Sequence, residues 1–394
     1  MTASTRTLLL IGTVSLLATS AGYFITPIET RFLTTLTDNT FLIGLTFGVG
    51  SFVFGLLAIW LGRLSDKHGR SSFILPALVL GIVYPLLYAS VHNIFLYMGV
   101  KVAWAFSAAI EGPVLMASFQ DHLKDLPKRG HYLGLLYSWQ AIAGALAQFL
   151  GGVLSDKFGI TTPYYAMSAM FVVATILVLF VGLHKNKDPL PAPVADEDKR
   201  GIFFGIAYIF KKPELLFYWV HGIVSNLNWG IKVFLWPLII YGFVGKDTIT
   251  GSIFGSMGLV AFIILLFGGK LTDRFGSFVM IRSAVVILGL SGMVLAATGH
   301  VGVFWIAALC YAVGEALFGP AHGILFTDNV DSRNRGEVLG ADTMLGTILA
   351  TASPFIAGAL LLHWSAQTVL ALYVSFFFIA LLAGEYMYIA RIQK

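Results

Sequence analysis

The sequence predicts an all-α membrane protein, in which 12 transmembrane helices form two pseudo-symmetric six-helix bundles. Hydrophobic residues make up 57% of the 394 residues and charged residues 11%, a balance that soluble domains of this size do not have. The apolar residues fall into twelve segments, each able to cross roughly 30 Å of hydrocarbon as a helix of about 20 residues. An internal repeat divides these segments into two groups of six, because a motif at residues 62–70 returns at residues 269–276.

The apolar segments are continuous, and this excludes a β-barrel. A strand that lines a water-filled lumen alternates polar and apolar residues over about ten positions. The predicted spans lie at residues 6–28, 41–63, 72–91, 94–120, 131–155, 164–183, 214–243, 249–270, 279–299, 302–327, 337–362 and 367–390.

The repeat also predicts the domain organisation. At the spacing of the repeated motif, Pro113 matches Pro320 and Asp121 matches Asp328. Six spans per copy is an even number, so both copies enter the membrane from the same side and the repeat is parallel. A polar, proline-rich stretch follows the sixth span and predicts a linker with a short helix on the cytoplasmic interface. The expected boundaries are therefore residues 1–183, 184–213 and 214–394.

The basic residues predict the topology. Of the 25 Lys and Arg residues, three lie on one side of the predicted spans (Arg31, Lys157 and Lys246), and Lys101 and Lys232 lie within spans. The others lie on the opposite side, which is the cytoplasmic side because basic residues concentrate there. We therefore expect a multi-pass protein of the cell inner membrane with both termini in the cytoplasm. The net charge of +5 reflects this topology and does not indicate a nucleic-acid partner.

A loop motif after the second span carries the strongest functional signal. Its sequence is Gly-Arg-Leu-Ser-Asp-Lys-His-Gly-Arg at residues 62–70, and it resembles the loop signature of the major facilitator superfamily, G-x-L-[AS]-D-[RK]-x-G-[RK]. Glycines permit tight turns, while an acid and nearby bases can pair across a cytoplasmic gap. The resemblance implies a conformational latch that steadies the outward-facing state. The latch residues are Gly62, Asp66, Gly69, Arg70, Asp121, Arg129, Gly269, Asp273 and Gly276.

Further glycines predict close helix packing. Gly251 and Gly255 place two small residues on one face of span 8, as a matching glycine pair does in span 2. A second stretch, Gly152 to Gly159, mimics the loop motif but lies on the outer side by the number of spans that precede it. We expect this outer stretch to cap helix ends.

Four ionisable residues are candidates for proton coupling: Lys101, Glu111, Glu315 and Glu29. A charged side chain at the bilayer centre costs about 2.5–3.5 kcal/mol on insertion scales, so it marks a function or a partner. An acid and a base in one cavity can trade a proton against a solute. Lys101 also resembles the basic residue of the family's fourth-span motif, which is linked with proton coupling. The structural alternatives are a lysine that reaches the outer interface, acids that form a structural pair or bond to backbone freed by Pro113 or Pro320, and a Glu29–Arg31 pair.

Span 7 predicts a wall of the solute cavity, because it is dense in polar and aromatic groups for a helix that faces lipid. The resemblance implies that spans 1, 4, 7 and 10 line the central cavity. Pro27 and Pro237 are expected to kink spans 1 and 7 towards their outer ends. The alternative for the tryptophans is an aromatic girdle at the membrane interface. The cavity candidates are Tyr23, Trp104, Asn226, Asn228, Trp229, Lys232, Trp236 and His322.

The sequence indicates no enzyme, no cofactor and no metal site. It contains no G-x-x-x-x-G-K-[ST] phosphate-binding motif and no metal-spaced cluster of His or Cys, so ATP is not the expected energy source. Cys310 is the single cysteine, which excludes an intramolecular disulfide. Span 5 has Ala147-Gln148 where the family's drug exporters have Gly-Pro, so the export signature is incomplete.

These observations together predict a secondary active transporter that moves a small solute by alternating access, coupled to protons, with efflux as a possible direction. The expected partners are the solute, protons and the lipid bilayer, and the expected state is a monomer. Two alternatives stay open: a proton-independent facilitator or importer of sugars or metabolites, and a nontransporting membrane receptor. The charged candidates are too balanced to choose between a cationic and an anionic solute.

Overall fold

The computed structural model describes residues 3–123, 129–181, 201–331 and 335–392, and within these ranges it contains helices and no strands. Each of the twelve predicted spans contains helix over the described residues, which confirms the predicted fold class. The helices of the first six spans are α1 (Ala3–Tyr23), α2 (Glu29–Leu36), α3 (Thr40–His68), α4 (Ser71–Ser90), α5 (Ile94–Ala109), α6 (Leu115–Leu123), α7 (Arg129–Phe158) and α8 (Thr162–Val181). Helices α5 and α6 are joined by a π-helical turn, Ile110–Val114.

The second half of the chain contributes seven helices over the described residues. They are α9 (Gly201–Lys211), α10 (Pro213–Val244), α11 (Asp247–Phe275), α12 (Ser277–Ala297), α13 (Val301–Asn329), α14 (Arg335–Leu360) and α15 (Ala366–Ile392). Helix α9 begins where the interfacial helix was expected, and it packs against α10 and α14 with Ile209 fully buried. Its position at the membrane interface stays a prediction. Across the described residues, ten helices are individually long and apolar enough to span a membrane.

Proline explains where the first span departs from its predicted bounds. Helix α1 ends at Tyr23, and turns occupy residues 24–28 before α2 begins. Pro27 lies in these turns, and its missing N–H and fixed φ prevent a continuous helix there. Pro237, by contrast, lies inside α10, which runs unbroken to Val244.

The chain forms two compact units. Unit 1 comprises Met1–Ala195 and Lys246–Gly255, and unit 2 comprises Asp196–Gly245 and Ser256–Lys394. Helix α11 is therefore divided, since its first turns belong to unit 1 and the rest to unit 2. Inside unit 1, α3 packs on α5 and α4 on α8; inside unit 2, α12 packs on α13 and α10 on α14 and α15.

The last glycine of each loop motif ends its helix in a conformation that side chains rarely adopt. Gly69 follows α3 with φ +87°, and Gly276 follows α11 with φ +82°. Only glycine adopts such angles without a steric penalty, because it has no Cβ. The repeated glycine therefore makes the same tight turn in both copies.

Candidate functional site

An acid and a lysine pair inside unit 2. Asn228 and Lys232 lie one turn apart on α10, as Tyr311 and Glu315 do on α13, so each pair shares a helix face. Lys232 Nζ donates to both carboxylate oxygens of Glu315 at 2.7 Å, and Asn228 Nδ2 donates to Glu315 Oε1 at 2.8 Å. The Lys232 side chain is 13% exposed and the Glu315 side chain 26% exposed. Glu315 is thus the more exposed side chain of the pair.

Aromatic residues hold this pair in place. The buried Tyr311 hydroxyl donates to Asn228 Oδ1, which leaves the Asn228 amide N–H groups directed at the carboxylate. Trp236 is 1% exposed and packs edge-on against Tyr311 with ring centroids 5.1 Å apart. Sequence reasoning placed Trp236 in the solute cavity, but the structure makes it a support for Tyr311. Trp229 is 49% exposed, and its ring centroid lies 5.5 Å from Lys232 Nζ.

A second polar cluster lies between the same two helices, near the start of α10 and towards the end of α13. His322 stacks on Tyr218 with centroids 3.7 Å apart, and its Nε2 lies 3.0 Å from the Tyr218 carbonyl oxygen. The Tyr218 hydroxyl donates to Asp342 Oδ2 at 2.8 Å. Asn226, a predicted cavity residue, donates to the carbonyl of Gly222 one turn earlier on its own helix. Sequence reasoning missed Asp342, although an acid within the predicted span 337–362 was a signal that could have found it.

A deeply buried ion pair lies inside unit 1. Lys101 of α5 bonds to Glu29 at the start of α2, and the two residues are 4% and 7% exposed. Tyr97 donates to Glu29 Oε1 at 2.8 Å, and the Tyr97 and Tyr164 hydroxyls lie 3.1 Å apart. Neither structural alternative from the sequence describes these residues, because Lys101 is buried with an acid and Glu29 is bonded to Lys101 and not to Arg31.

Rings surround the Lys101 ammonium. Its Nζ lies 4.8 Å from the Trp104 ring centroid, 5.2 Å from that of Phe47, and 5.7 and 5.9 Å from those of Tyr88 and Tyr97. Aromatic faces attract cations, and more strongly where water is excluded. Trp104, a predicted cavity residue, therefore belongs to the enclosure of a buried lysine. The enclosure leaves this pair little access to water.

Glu111 lies in the π-helical turn between α5 and α6, apart from the two ion pairs. Its carboxylate bonds with the Ser107 hydroxyl, which also lies 2.7 Å from the Ala77 carbonyl oxygen. Single π-helical turns inside α-helices occur frequently at functional sites. Within the part of the chain that the structure describes, Lys101, which the sequence suggested as a partner of Glu111, is bonded to Glu29 instead.

A network at the predicted outer end of unit 1 joins three elements. The Arg31 guanidinium binds both carboxylate oxygens of Asp247, with Nε to Oδ1 at 2.7 Å, and its Nη2 donates to Ser155 Oγ at 3.1 Å. Ser155 in turn donates to Asp247. A two-pronged arginine–carboxylate bond is strong and fixes geometry. Sequence reasoning missed Asp247, because it lies in the predicted loop between spans 7 and 8.

The outer copy of the loop motif caps a helix, as its sequence predicts. Asp156 accepts from the backbone N–H of Asp247 at 3.0 Å and of Thr248 at 2.7 Å, which are the first N–H groups of α11. Burial raises the pKa of the Asp156 carboxyl, but these hydrogen bonds and the nearby Arg31 charge outweigh burial and lower it below its ordinary value. The cap is therefore ionised at neutral pH.

Glycines bring α7 and the first turns of α11 into backbone contact. A Cβ on Gly152 would lie 2.3 Å from the Asp247 carbonyl oxygen, and one on Gly251 would lie 2.5 Å from the Gln148 carbonyl oxygen. Such distances are far below van der Waals contact, so a side chain here forces the helices apart. Tyr23 likewise packs on Gly144, where a Cβ would lie 2.7 Å from its ring.

The cytoplasmic latch is described in part. Gly62 and Gly69 lie at the end of α3 and just after it, Gly269 lies within α11, and Asp273 is exposed near the end of α11. The Asp66, Asp121 and Arg129 side chains lie outside the described residues. The latch function of this motif stays a prediction.

A mostly apolar pocket opens in unit 1 beside α1, α6 and α7. It contains none of the predicted site residues. Its lining includes Leu9, Thr13, Phe119, Tyr132 and Trp139. Among the residues that the structure describes, no group of three or more His, Cys, Asp or Glu side chains is arranged to hold a metal ion.

Comparisons with known proteins agree with the helical architecture. The sequence model of the Major Facilitator Superfamily matches residues 8–354 and 223–391. An uncharacterised MFS-type transporter of Methanocaldococcus jannaschii is 25% identical over 81% of this chain and 82% of its own. The class H tetracycline resistance protein of Pasteurella multocida is 25% identical over 75% of this chain and 73% of its own. A crystal structure of the nucleoside transporter NupG superposes with a TM-score of 0.81 at 12% identity, covering 97% of this chain and 99% of that one.

Proposed function

The chain belongs to the major facilitator superfamily, and we propose that it is a proton-coupled secondary transporter that carries a small solute by alternating access. The observation that carries this proposal is the Lys232–Glu315 pair, whose opposite charges lie 2.7 Å apart in the middle of two apolar helices. Ionised side chains inside a span are costly and mark ion or substrate pathways. Their partial exposure supports a pair that opens and closes during transport.

Accessibility distinguishes this pair from the one in unit 1. Glu29 and Lys101 are almost fully buried, and tyrosines and other rings fill the space around them. Glu315 has a quarter of its side chain exposed. We therefore assign proton exchange to Glu315, while Lys101 and Glu29 stay bonded and hold α2 against α5.

Glu111 is the second proposed proton carrier. The single Ser107 hydrogen can satisfy the Glu111 carboxylate or the Ala77 carbonyl, but not both at once. When Glu111 carries a proton, it can donate to Ser107, and Ser107 can then donate to Ala77. In the protonated state, each of the two contacts of Ser107 therefore has its own donor hydrogen, which supports a role in proton transfer.

Alternating access needs contacts that form on one side of the membrane and break on the other. The Arg31–Asp247–Ser155 network and the Asp156 cap support an outer contact of this kind, because they join the first turns of α11, a helix whose remaining turns belong to unit 2, to α2 and α7. The loop motif at residues 62–70 is the proposed cytoplasmic counterpart. The positive-inside distribution of Lys and Arg supports an inner-membrane protein with both termini in the cytoplasm.

The direction of transport follows from the coupling. Exchange of a proton for the solute drives export under an inward proton gradient, and cotransport drives uptake. Resistance, which the name of the tetracycline relative states, would fit export. The charge balance at Lys232 and Glu315, developed in the next subsection, instead supports cotransport of the solute with a proton, and therefore uptake.

Proton movement in proteoliposomes tests the proposed function. The purified protein is reconstituted with the pH indicator pyranine inside, and solutes of each charge class are added outside: benzoate, benzamide, benzamidine, tetracycline, uridine and glucose. At least one solute should change the internal pH through the wild-type protein and not through Glu315→Gln. Flux of a labelled solute without any proton movement would identify a facilitator. Binding without flux would identify a receptor.

A further inference from the structure

We infer that the solute handled at Lys232 and Glu315 is a small monoanion, a carboxylate with an apolar or aromatic body, and that it binds together with one proton. This inference rests on the proposed function and adds the charge of the solute to it. It begins with the group that occupies the site in this structure, which is itself a carboxylate. Glu315 takes the position that a solute carboxylate would take.

The neighbouring side chains offer hydrogen-bond donors. Lys232 reaches both oxygens of the carboxylate at 2.7 Å, and Asn228 Nδ2 reaches one of them at 2.8 Å. The carbonyl oxygen of Asn228 is already bonded to the Tyr311 hydroxyl. Apart from Glu315, this group therefore presents donors, which suit an anion. A cation would find Glu315 as its acceptor, and Glu315 is bonded to Lys232.

Charge balance then links the anion to a proton. A proton from water that forms an O–H bond on one Glu315 oxygen neutralises the carboxylate and leaves Lys232 with an uncompensated positive charge. An unpaired charge inside a span is costly, so the donors of Lys232 and Asn228 are free to bind a solute carboxylate in its place. The empty site and the site with both proton and anion are each neutral. The site with either one alone carries a net charge, so the two move together.

Exposure supports this order of events. Glu315 is the more exposed side chain of the pair, which supports Glu315 as the group that a proton reaches first. The Trp229 ring lies 5.5 Å from Lys232 Nζ and can hold the ammonium in position after the carboxylate is neutralised. Trp229 is also 49% exposed, which leaves an aromatic surface for the apolar body of the solute.

The other charged and titratable groups around this site contact residues outside the pair. Buried His221 of α10 has its Nδ1 2.8 Å from the Phe217 carbonyl oxygen and no partner for Nε2 among the described residues. On α12, which packs most closely against α13, the single charged residue is Arg282, and it bonds to Glu385. His322 lies two turns from the pair on α13 and contacts Tyr218, which also bonds Asp342 of α14. Within the described residues, Lys232 is the charged side chain bonded to the Glu315 carboxylate.

Three ligands with the same ring test the charge of the solute. Benzoate, benzamide and benzamidine carry one negative, no and one positive charge, and their binding to the protein in nanodiscs is measured by calorimetry in two buffers of different protonation enthalpy. Empty nanodiscs give the background. We expect benzoate to bind with uptake of one proton, and its affinity to rise about tenfold for each unit by which the pH falls, because proton and anion binding are reciprocally linked.

Two substitutions make the expectation specific. Glu315→Gln imitates the protonated carboxyl, so it should bind benzoate without proton uptake and without pH dependence, which also shows that the variant folds. Lys232→Gln should lose benzoate binding by tenfold or more. Glu385→Gln removes an acid of another ion pair in the same unit and should behave as the wild type.

The inference is overturned if benzoate binds without proton uptake or does not bind, or if benzamidine binds more tightly as the pH rises and releases a proton. None of these results contradicts the proposed function, because the pyranine experiment tests it separately. The proposed function is contradicted when no solute of the pyranine panel moves protons through the wild-type protein.

Discussion

Lys232 donates to both carboxylate oxygens of Glu315 at 2.7 Å, whereas the repeat counterpart of Glu315 in the first half is Ala108. The first half carries its own acid–lysine pair, but there the lysine is on the fourth-span helix, at Lys101. Lys101 precedes Ala108 by two turns, or about 10 Å along the helix. Each half of the duplicated scaffold thus holds an ion pair, but the lysine and the acid are exchanged between corresponding helices and lie at different positions along them. The pair in unit 2 is the more exposed.

Removing the hydroxyl of Tyr311 should weaken solute binding without abolishing it. Tyr311→Phe releases the carbonyl of Asn228, so the Asn228 amide is no longer held towards the carboxylate position. A typical hydrogen bond contributes about 1 kcal/mol, which corresponds to roughly fivefold in affinity. Calorimetry of benzoate binding measures this change. Tyr373→Phe, which removes a hydroxyl bonded to the Ser353 carbonyl elsewhere in unit 2, should leave the affinity unchanged.

Removing one partner of the buried Glu29–Lys101 pair should destabilise unit 1. Removing one partner leaves a buried charge unpaired, and such changes typically cost about 3–5 kcal/mol. Glu29→Gln and Lys101→Met should each lower the midpoint of thermal unfolding in detergent. The double variant should lose much less than the sum of the two, because no charge is left unpaired. Additive losses in the double variant would show that the two residues are not coupled.

Close contact of α7 with α11 makes Gly152 intolerant of a methyl group. Gly152→Ala would place Cβ 2.3 Å from the Asp247 carbonyl oxygen, and overpacking of this kind typically costs about 1–3 kcal/mol. Gly99, inside α5, has nothing within 4 Å of its Cβ position, so Gly99→Ala should be neutral or stabilising. Unfolding midpoints of the two variants compare them directly. Equal midpoints would contradict the packing seen here.

Covalent closure of the outer network should stop transport. Ser155→Cys and Asp247→Cys in a Cys310→Ser background place two thiols where Ser155 now donates to Asp247. A short bifunctional methanethiosulfonate should join them, block flux and leave benzoate binding in place, because the ligand site lies on α10 and α13. Reduction should restore flux. Full flux in the cross-linked protein would show that this network does not open during transport.

The sequence predicts the helices well because each span has a simple chemical requirement, a long apolar segment. The final glycines of the loop motif were equally predictable, since Gly69 and Gly276 end their helices at positive φ. Pro27 was expected to kink span 1. Instead, α1 ends at Tyr23, and residues 24–28, which include Pro27, form turns.

Partner choice was harder to predict than helix position. Lys101 and Glu111 lie ten residues apart in one helical span, which suggested a shared cavity, but the lysine bonds to Glu29 of α2. Asp247 and Asp342 were missed because their partners, Arg31 and Tyr218, are more than a hundred residues away in sequence. Sequence reveals which residues are costly to bury, but only the packing of the helices shows which of them meet.

The most direct test of the proton-coupling claim compares concentrative transport with exchange for one labelled solute that the pyranine panel identifies. In proteoliposomes, the wild-type protein and Glu385→Gln should accumulate the solute under a proton gradient and also exchange it without one. Glu315→Gln should retain exchange, because its site stays in the neutralised form, but should lose accumulation. Accumulation by Glu315→Gln equal to that of the wild type would contradict the assignment of Glu315 as the proton carrier.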